Sequence, residues 1–305
     1  MRIVSLLPSA TEIVCALGAG DALVGVSHEC DHPASVIGLP QLTRPKIRVD
    51  APSAAIDRDV RVLIARGLSV YEIDVDRLRA LAPDVIVTQE QCDVCAVSFA
   101  EVQAAVRSAL DHELRIVSLT PRVLNDVWED IRRVAAALDK TARAEELLAS
   151  LRARLAAVAD RTAGHPRPVV ACLEWLEPLM TGGNWIPELV AIAGGVYPFA
   201  VAGALSATTS WQALRAAEPE VLVLMPCGFT IAQTQRELAA LTEREEWRAL
   251  PAVRAGRVSV VDGSAYFNRP GPRLVESAEI LAALVHPEIF GAPFPPEAVC
   301  PLARV

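Results

Sequence analysis

Ala82-Pro-Asp-Val-Ile-Val-Thr88 and Glu218-Pro-Glu-Val-Leu-Val-Leu224 are the two stretches on which the fold turns. In each, a helical run stops at a proline, which disfavours helix in the residue before it. An acidic residue follows, then a short run of apolar, mostly β-branched residues. A strand without polar alternation is buried on both faces, which is the signature of a parallel sheet covered by helices.

Working outward from the first copy, Ile3 to Leu7, Leu23 to Val26 and Arg115 to Leu119 read as further strands. Ser9-Ala-Thr-Glu12 has the form of a capping box opening a helix, with Ser9 as its first cap. Ile13, Val14, Ala16 and Leu17 give that helix its apolar face, and Gly18 and Gly20 end it. Phe99 to Leu110 reads as a helix. Around the second copy, Pro168 to Leu173 and Val258 to Val261 read as strands and Pro272 to Leu284 as a last helix.

The middle has a different texture. From Arg122 to Ala163 there is neither Gly nor Pro. Val127, Ile131, Val134 and Leu138 make one helical stripe, and Leu147, Leu148, Leu151, Leu155 and Val158 make another. A helix from Ala142 to Asp160 spans roughly 28 Å at 1.5 Å per residue, enough to bridge two lobes. The expected fold class is α/β, with two similar three-layer α/β lobes, mainly parallel sheets and a long bridging α-helix. The expected boundaries are 1–121 for the first lobe, 122–165 for the helical segment, 166–290 for the second lobe and 291–305 for a loosely packed, Pro-rich tail.

Composition narrows the function classes. With 29 basic and 37 acidic residues the formal net charge is −8. Without a long Lys/Arg run, the chain lacks the electrostatic footprint of nucleic-acid or anionic-membrane binding. The chain has 7 Cys, an odd number that cannot all pair, which argues against a secreted disulfide framework. Arg2 to Leu7 reads as a strand rather than a leader or a membrane span. The expectation is therefore a cytoplasmic protein without membrane insertion, or a periplasmic or extracellular one if a leader was removed. No GxSxG, GxxxxGK[ST] or GxGxxG occurs, so the expectation is a binder rather than an enzyme.

Several stretches, in this order and spacing, resemble the helical-backbone (class III) substrate-binding proteins of ABC importers, which include cobalamin, haem and iron-siderophore receptors. They are Arg2-Ile-Val-Ser-Leu-Leu-Pro-Ser-Ala-Thr-Glu12, Val24-Gly-Val-Ser27 with Asp31-His-Pro33, and Ala82 to Val87. In the second half they are Thr181-Gly-Gly183, Leu189 to Gly195, and Tyr266-Phe-Asn-Arg-Pro-Gly-Pro-Arg273. The resemblance covers about residues 1–290 and is nearest to a cytosolic-looking cobalamin branch. It implies a small-molecule ligand, cobalamin or another corrinoid or metal chelate, held by strand-end loops in a cleft between lobes. It also implies an ABC permease as partner if the protein is exported.

Two residue sets could carry such chemistry. His28-Glu-Cys-Asp-His32 and Cys92-Asp-Val-Cys95 both follow predicted strands of the first lobe. Thiolates with an imidazole suit zinc or iron, so Cys30, Cys92, Cys95 and His32, with His28 as alternative, form a candidate metal site. Cys92 and Cys95 also fit a thiol–disulfide pair, and all three thiols also fit plain packing. The second set is aromatic. Trp175, Trp185, Phe229, Tyr266 and Phe267 group near predicted loops of the second lobe, where flat faces with polar edges suit a planar ligand. Ser9, Glu29, Gln89 and Glu90 stand at strand ends and could orient ligand amides or the groups behind a metal's own ligands. Arg269 and Arg273 could meet an anionic group at the last helix's N-terminus, or pair on the surface.

Overall fold

The computed structural model describes residues 1–66, 68–90, 99–109, 114–292 and 294–302, with side chains throughout except at 99 and 107–109. The chain divides into two compact units. One comprises Met1–Ala51, Ala55–Pro121 and Asn125–Ser150, the other Pro52–Ala54, Arg122–Leu124 and Leu151–Val305.

In the first unit the elements are β1 (Ile3–Ser5), α1 (Pro8–Ala16), β2 (Leu23–Val26), β3 (Thr43–Pro45), α2 (Ser53–Ala65), β4 (Tyr71–Ile73), α3 (Val75–Leu81), β5 (Val85–Gln89), α4 (Phe99–Ala109), β6 (Arg115–Leu119) and α5 (Leu124–Ala137). Its main sheet is parallel throughout, ordered β2-β1-β5-β6. Val4, Leu6 and Ile86 pack with Leu78, Val102 and Ala105 on one face. The alternate residues Ile3, Val85 and Val87 are buried as well, so both faces are covered. β3 and β4 pair antiparallel as a separate ribbon. The expected capping box at Ser9 is not formed. Pro8 opens α1 two residues earlier than a Ser9 cap would, its fixed φ suiting the first helical position, and Leu7 is the cap.

Helix α6 (Thr141–Thr162) runs for 22 residues, about 33 Å, with Leu148, Leu151, Leu155 and Val158 buried. Residues up to Ser150 belong to the first unit and those from Leu151 to the second. Arg154 on α6 forms a two-pronged ion pair with Glu279, at 2.9 and 2.7 Å.

The second unit continues with β7 (Val170–Leu176), β8 (Leu179–Thr181), α7 (Ile186–Ile192), β9 (Ala207–Thr208), α8 (Trp211–Ala217), β10 (Val221–Leu224), α9 (Ile231–Thr242), α10 (Glu245–Arg248), α11 (Pro251–Ala255), β11 (Val258–Val261), α12 (Leu274–Val285), α13 (Pro287–Phe290) and β12 (Val299–Pro301). Strands β7, β10 and β11 are parallel neighbours. Antiparallel strands flank them, giving the order β12-β11-β10-β7-β8-β9. The tail corrects the expectation of loose packing: β12 pairs with β11, and Ala298 and Val299 are buried.

The sequence echo is a structural repeat. α3 and α8 each have seven residues, capped by the side chains of Asp74 and Ser210 and ending on a left-handed residue, Ala82 or Glu218. A proline follows each. The amides of Asp84 and Val85 both donate to the Arg2 carbonyl, and those of Glu220 and Val221 both donate to the Val169 carbonyl. The same turn thus feeds β5 beside β1 and β10 beside β7.

Candidate functional site

In parallel α/β sheets, ligands bind outside the carboxyl ends of the strands, where the strand order reverses. In the first unit that point is the end of β1, flanked by β2 and β5. His28 follows β2. Its Nδ1 lies 2.8 Å from Thr43 Oγ1 on β3, and its ring is tilted 45° to Tyr71 on β4 with centroids 5.4 Å apart. Burial holds its basicity below the usual imidazole range. The Tyr71 hydroxyl donates to Glu29 Oε1 at 3.2 Å. The β3–β4 ribbon thus brings together two predicted residues, His28 and Glu29, and two that the sequence reading missed, Thr43 and Tyr71.

Cys30 is buried beside Thr11 of α1. The Thr11 hydroxyl donates to Ser5 Oγ at 2.8 Å and lies 3.0 Å from Cys30 Sγ. Ser5 in turn donates to the Leu7 carbonyl at 3.1 Å. Thr11 thus links Cys30 and Ser5 in one buried polar cluster beside the start of α1. His32 is exposed, and Cys92 and Cys95 lie outside the described residues. Among the described residues no group of three or more His, Cys, Asp or Glu is arranged to hold a metal ion. Gln89 is buried at the end of β5, Glu90 is exposed, and Ser9 Oγ is buried without a hydrogen-bond partner among the described residues.

Strand β6 is the sheet edge, and α5 covers its end with side chains. Arg133 Nη1 donates to the Ser118 carbonyl at 2.9 Å and to Asp130 Oδ1 at 2.6 Å. Asp130 also accepts from the Thr120 amide. Burial pushes the Asp130 carboxyl up to about 7, helped by Asp126 and Glu129 and opposed by Arg133 and the Thr120 amide. An unfolded Asp titrates near ~3.9. Since the folded value is raised, the stabilisation from this group is fully present below that range and is lost as pH rises through about 7. Asp130→Asn should therefore melt progressively higher relative to the parent between pH 5 and pH 8, by roughly two-thirds of the full pH-dependent span. A melting difference independent of pH would show that the carboxyl is not displaced.

In the second unit the strand ends gather most of the predicted aromatics. Trp175 on β7 and Phe229 after β10 face each other with centroids 5.1 Å apart, tilted 59°. Trp175 is half-buried, and its Nε1 is buried with no partner among the described residues. Phe229, Trp185 and Phe267 are buried inside the unit. Trp185 Nε1 donates to the Phe267 carbonyl at 2.7 Å, so its polar edge faces protein. Tyr266 is half-buried with the Arg273 guanidinium 5.2 Å from its ring centre. Arg269 is buried and reaches Ser264 Oγ at 3.3 Å. Beside Trp175, Glu174 accepts from Ser206 at 2.8 Å.

The loop after β11 is tied at several points. Asp262 Oδ1 accepts from the amides of Ser264 and Ala265, and Asn268 Nδ2 donates to the carbonyls of Met225 and Gly263, at 3.0 Å each. Asn268 thereby staples the end of β10 to the end of β11. The Trp175–Phe229 pair and, separately, the Tyr266–Arg273 pair stand at or after the carboxyl ends of parallel strands of the second unit.

Known proteins share this architecture. The periplasmic binding protein family matches residues 3–265. An uncharacterized ABC transporter substrate-binding lipoprotein, YvrC of Bacillus subtilis, is 21% identical over 95% of this chain and 81% of its own length. The vitamin B12-binding protein of Vibrio parahaemolyticus is 24% identical over 90% of this chain and 86% of its own. A periplasmic heme-binding protein from Pseudomonas aeruginosa superposes with a TM-score of 0.75 at 20% identity, covering 100% of this chain and 99% of that one.

Proposed function

The chain belongs to the periplasmic binding protein family, and from that premise we propose that it is a receptor for a corrinoid of the cobalamin type, or a related planar metal chelate, which it hands to an ABC permease. The family binds solutes rather than transforming them, so the strand-end residues are read as contacts and not as catalysts. The observation that carries the ligand class is the Trp175–Phe229 pair at the carboxyl ends of adjacent parallel strands. A tilted aromatic pair with one half-buried indole suits a large, flat, mostly apolar ligand with polar substituents at its edge. The B12-binding relative supports the corrinoid choice, and the heme-binding fold neighbour supports the wider planar-chelate class. A receptor of this kind works on the outer side of a membrane, so the extracytoplasmic alternative is preferred over the cytoplasmic expectation. Among the described residues no helix is long and apolar enough to cross a membrane.

Calorimetric titration with cyanocobalamin, cobinamide and haemin tests the reading. A dissociation constant of about 1 μM or tighter for one of them is expected, equivalent to roughly 8 kcal/mol. A folded protein that binds none of the three sinks it. Trp175→Ala should weaken the bound probe about 30-fold, the scale of a central aromatic contact. Because Trp175 is only half-buried, its melting temperature should move little. A variant that binds as tightly as the parent would remove Trp175 from the ligand face.

A further inference from the structure

Phe267 is a bulky residue in the left-handed region, at φ 65°. Non-glycine residues are held there only when their surroundings over-determine the conformation. Here both of its backbone polar groups are tied by side chains from elsewhere in the unit. Its amide donates to Ser277 Oγ on α12 at 3.0 Å, and its carbonyl accepts from Trp185 Nε1, at the cap of α7, at 2.7 Å. Ser277 Oγ passes its own proton to the Arg273 carbonyl at 3.1 Å. The Phe267 ring is fully buried. On either side stand Tyr266, stacked under Arg273, and Asn268, stapled to the ends of β10 and β11. The left-handed turn at Phe267 thus sets the direction in which Tyr266 is presented.

We propose that Trp185 and Ser277 are positioning residues that lock Phe267 in its left-handed conformation and so preform the loop 262–273 for the ligand. Trp185 acts through the Phe267 carbonyl rather than by touching the ligand. The role rests on the ligand reading above, since preforming matters only for a loop that binds.

The test uses the whole chain. Trp185→Phe removes the indole N–H together with the five-membered part of the ring, and Ser277→Ala removes the other tie. Amide hydrogen exchange of residues 262–273 is followed without ligand, and binding kinetics are followed with whichever of cyanocobalamin, cobinamide and haemin binds the parent. The expected result is faster exchange concentrated in 262–273, a global unfolding midpoint lowered only by the few degrees that a lost buried hydrogen bond costs, and association slowed about 3–10-fold with dissociation unaltered. That pattern follows when only a fraction of molecules holds the competent loop. A merely structural role would spread the faster exchange through the unit and leave association unaltered. That outcome, unchanged loop exchange in both variants, or faster dissociation with association unaltered overturns the proposal. A parent that binds none of the probes overturns the ligand reading and the positioning role with it, whatever the exchange shows.

Discussion

Replacing Gly263 by alanine is expected to destabilise the second unit towards the upper end of the ~1–3 kcal/mol typical of overpacking, and to loosen the loop that carries Tyr266. A Cβ at this position would stand 2.1 Å from the Pro226 carbonyl oxygen and 2.9 Å from the Met225 and Pro226 carbonyl carbons. All three are backbone atoms at the end of β10, so no side-chain rotation relieves the clash. Asn268 holds the same two strand ends together from the side. The added methyl must therefore lengthen those hydrogen bonds or displace the loop. A fall in melting temperature of about 4–12 °C follows from ~2–4 °C per kcal/mol for a unit of this size. Asn268→Ala should act in the same direction but less, since it removes two hydrogen bonds worth about 1 kcal/mol each without forcing the backbone. A Gly263→Ala protein that melts with the parent and shows unchanged exchange over 262–273 would falsify the close approach.

How much of this could be read from residues alone depends on whether the deciding interaction is local. The two proline-acid-strand echoes were legible because each is a local device: a capped seven-residue helix, a left-handed stop and a strand start within about a dozen residues. The long helix and its stripe were legible for the same reason, through their 3.6-residue period. Ser9 was misread because two local signals compete there. The capping-box spacing favours Ser9 as cap, but the proline before it fits the first helical position and moves the cap two residues back, to Leu7. Tyr71 and Thr43 escaped because they meet His28 and Glu29 only through the β3–β4 ribbon, across 15 to 43 residues of chain. Asp130 looks like one of several solvated acids on α5, and only the unpaired backbone of the edge strand β6 explains its burial. Among the aromatics, residue type near a loop marked the right region. It could not separate Trp175, whose edge is half-buried, from Trp185, whose N–H is committed to Phe267.

Trp247→Ala should have the largest effect on stability of any single change considered, about 3–5 kcal/mol. Trp247 is 1% exposed on the four-residue α10, too short a helix to stand without its buried anchor. It packs in the cluster that contains Leu173, Leu222, Leu224, Leu241, Leu250 and Val260, with Trp211 edge-on at 6.4 Å. Its Nε1 is buried with no hydrogen-bond partner among the described residues. A buried donor left unpaired carries a desolvation penalty that a phenyl ring lacks, so Trp247→Phe should cost less than its lost volume suggests, under about 1.5 kcal/mol. Denaturant unfolding of both variants separates the two contributions, and an alanine variant within 1 kcal/mol of the parent would show that this cluster is not the unit's core. The residues of this cluster on β7, β10 and β11 lie in the strands whose carboxyl ends carry Trp175, Phe229 and the 262–273 loop. The expected loss is therefore in the fraction of folded molecules, with the affinity of those that remain folded unchanged. The opposite pattern, an affinity loss of about 30-fold with little change in stability, belongs to Trp175, and the contrast separates the scaffold from the ligand face on one sheet.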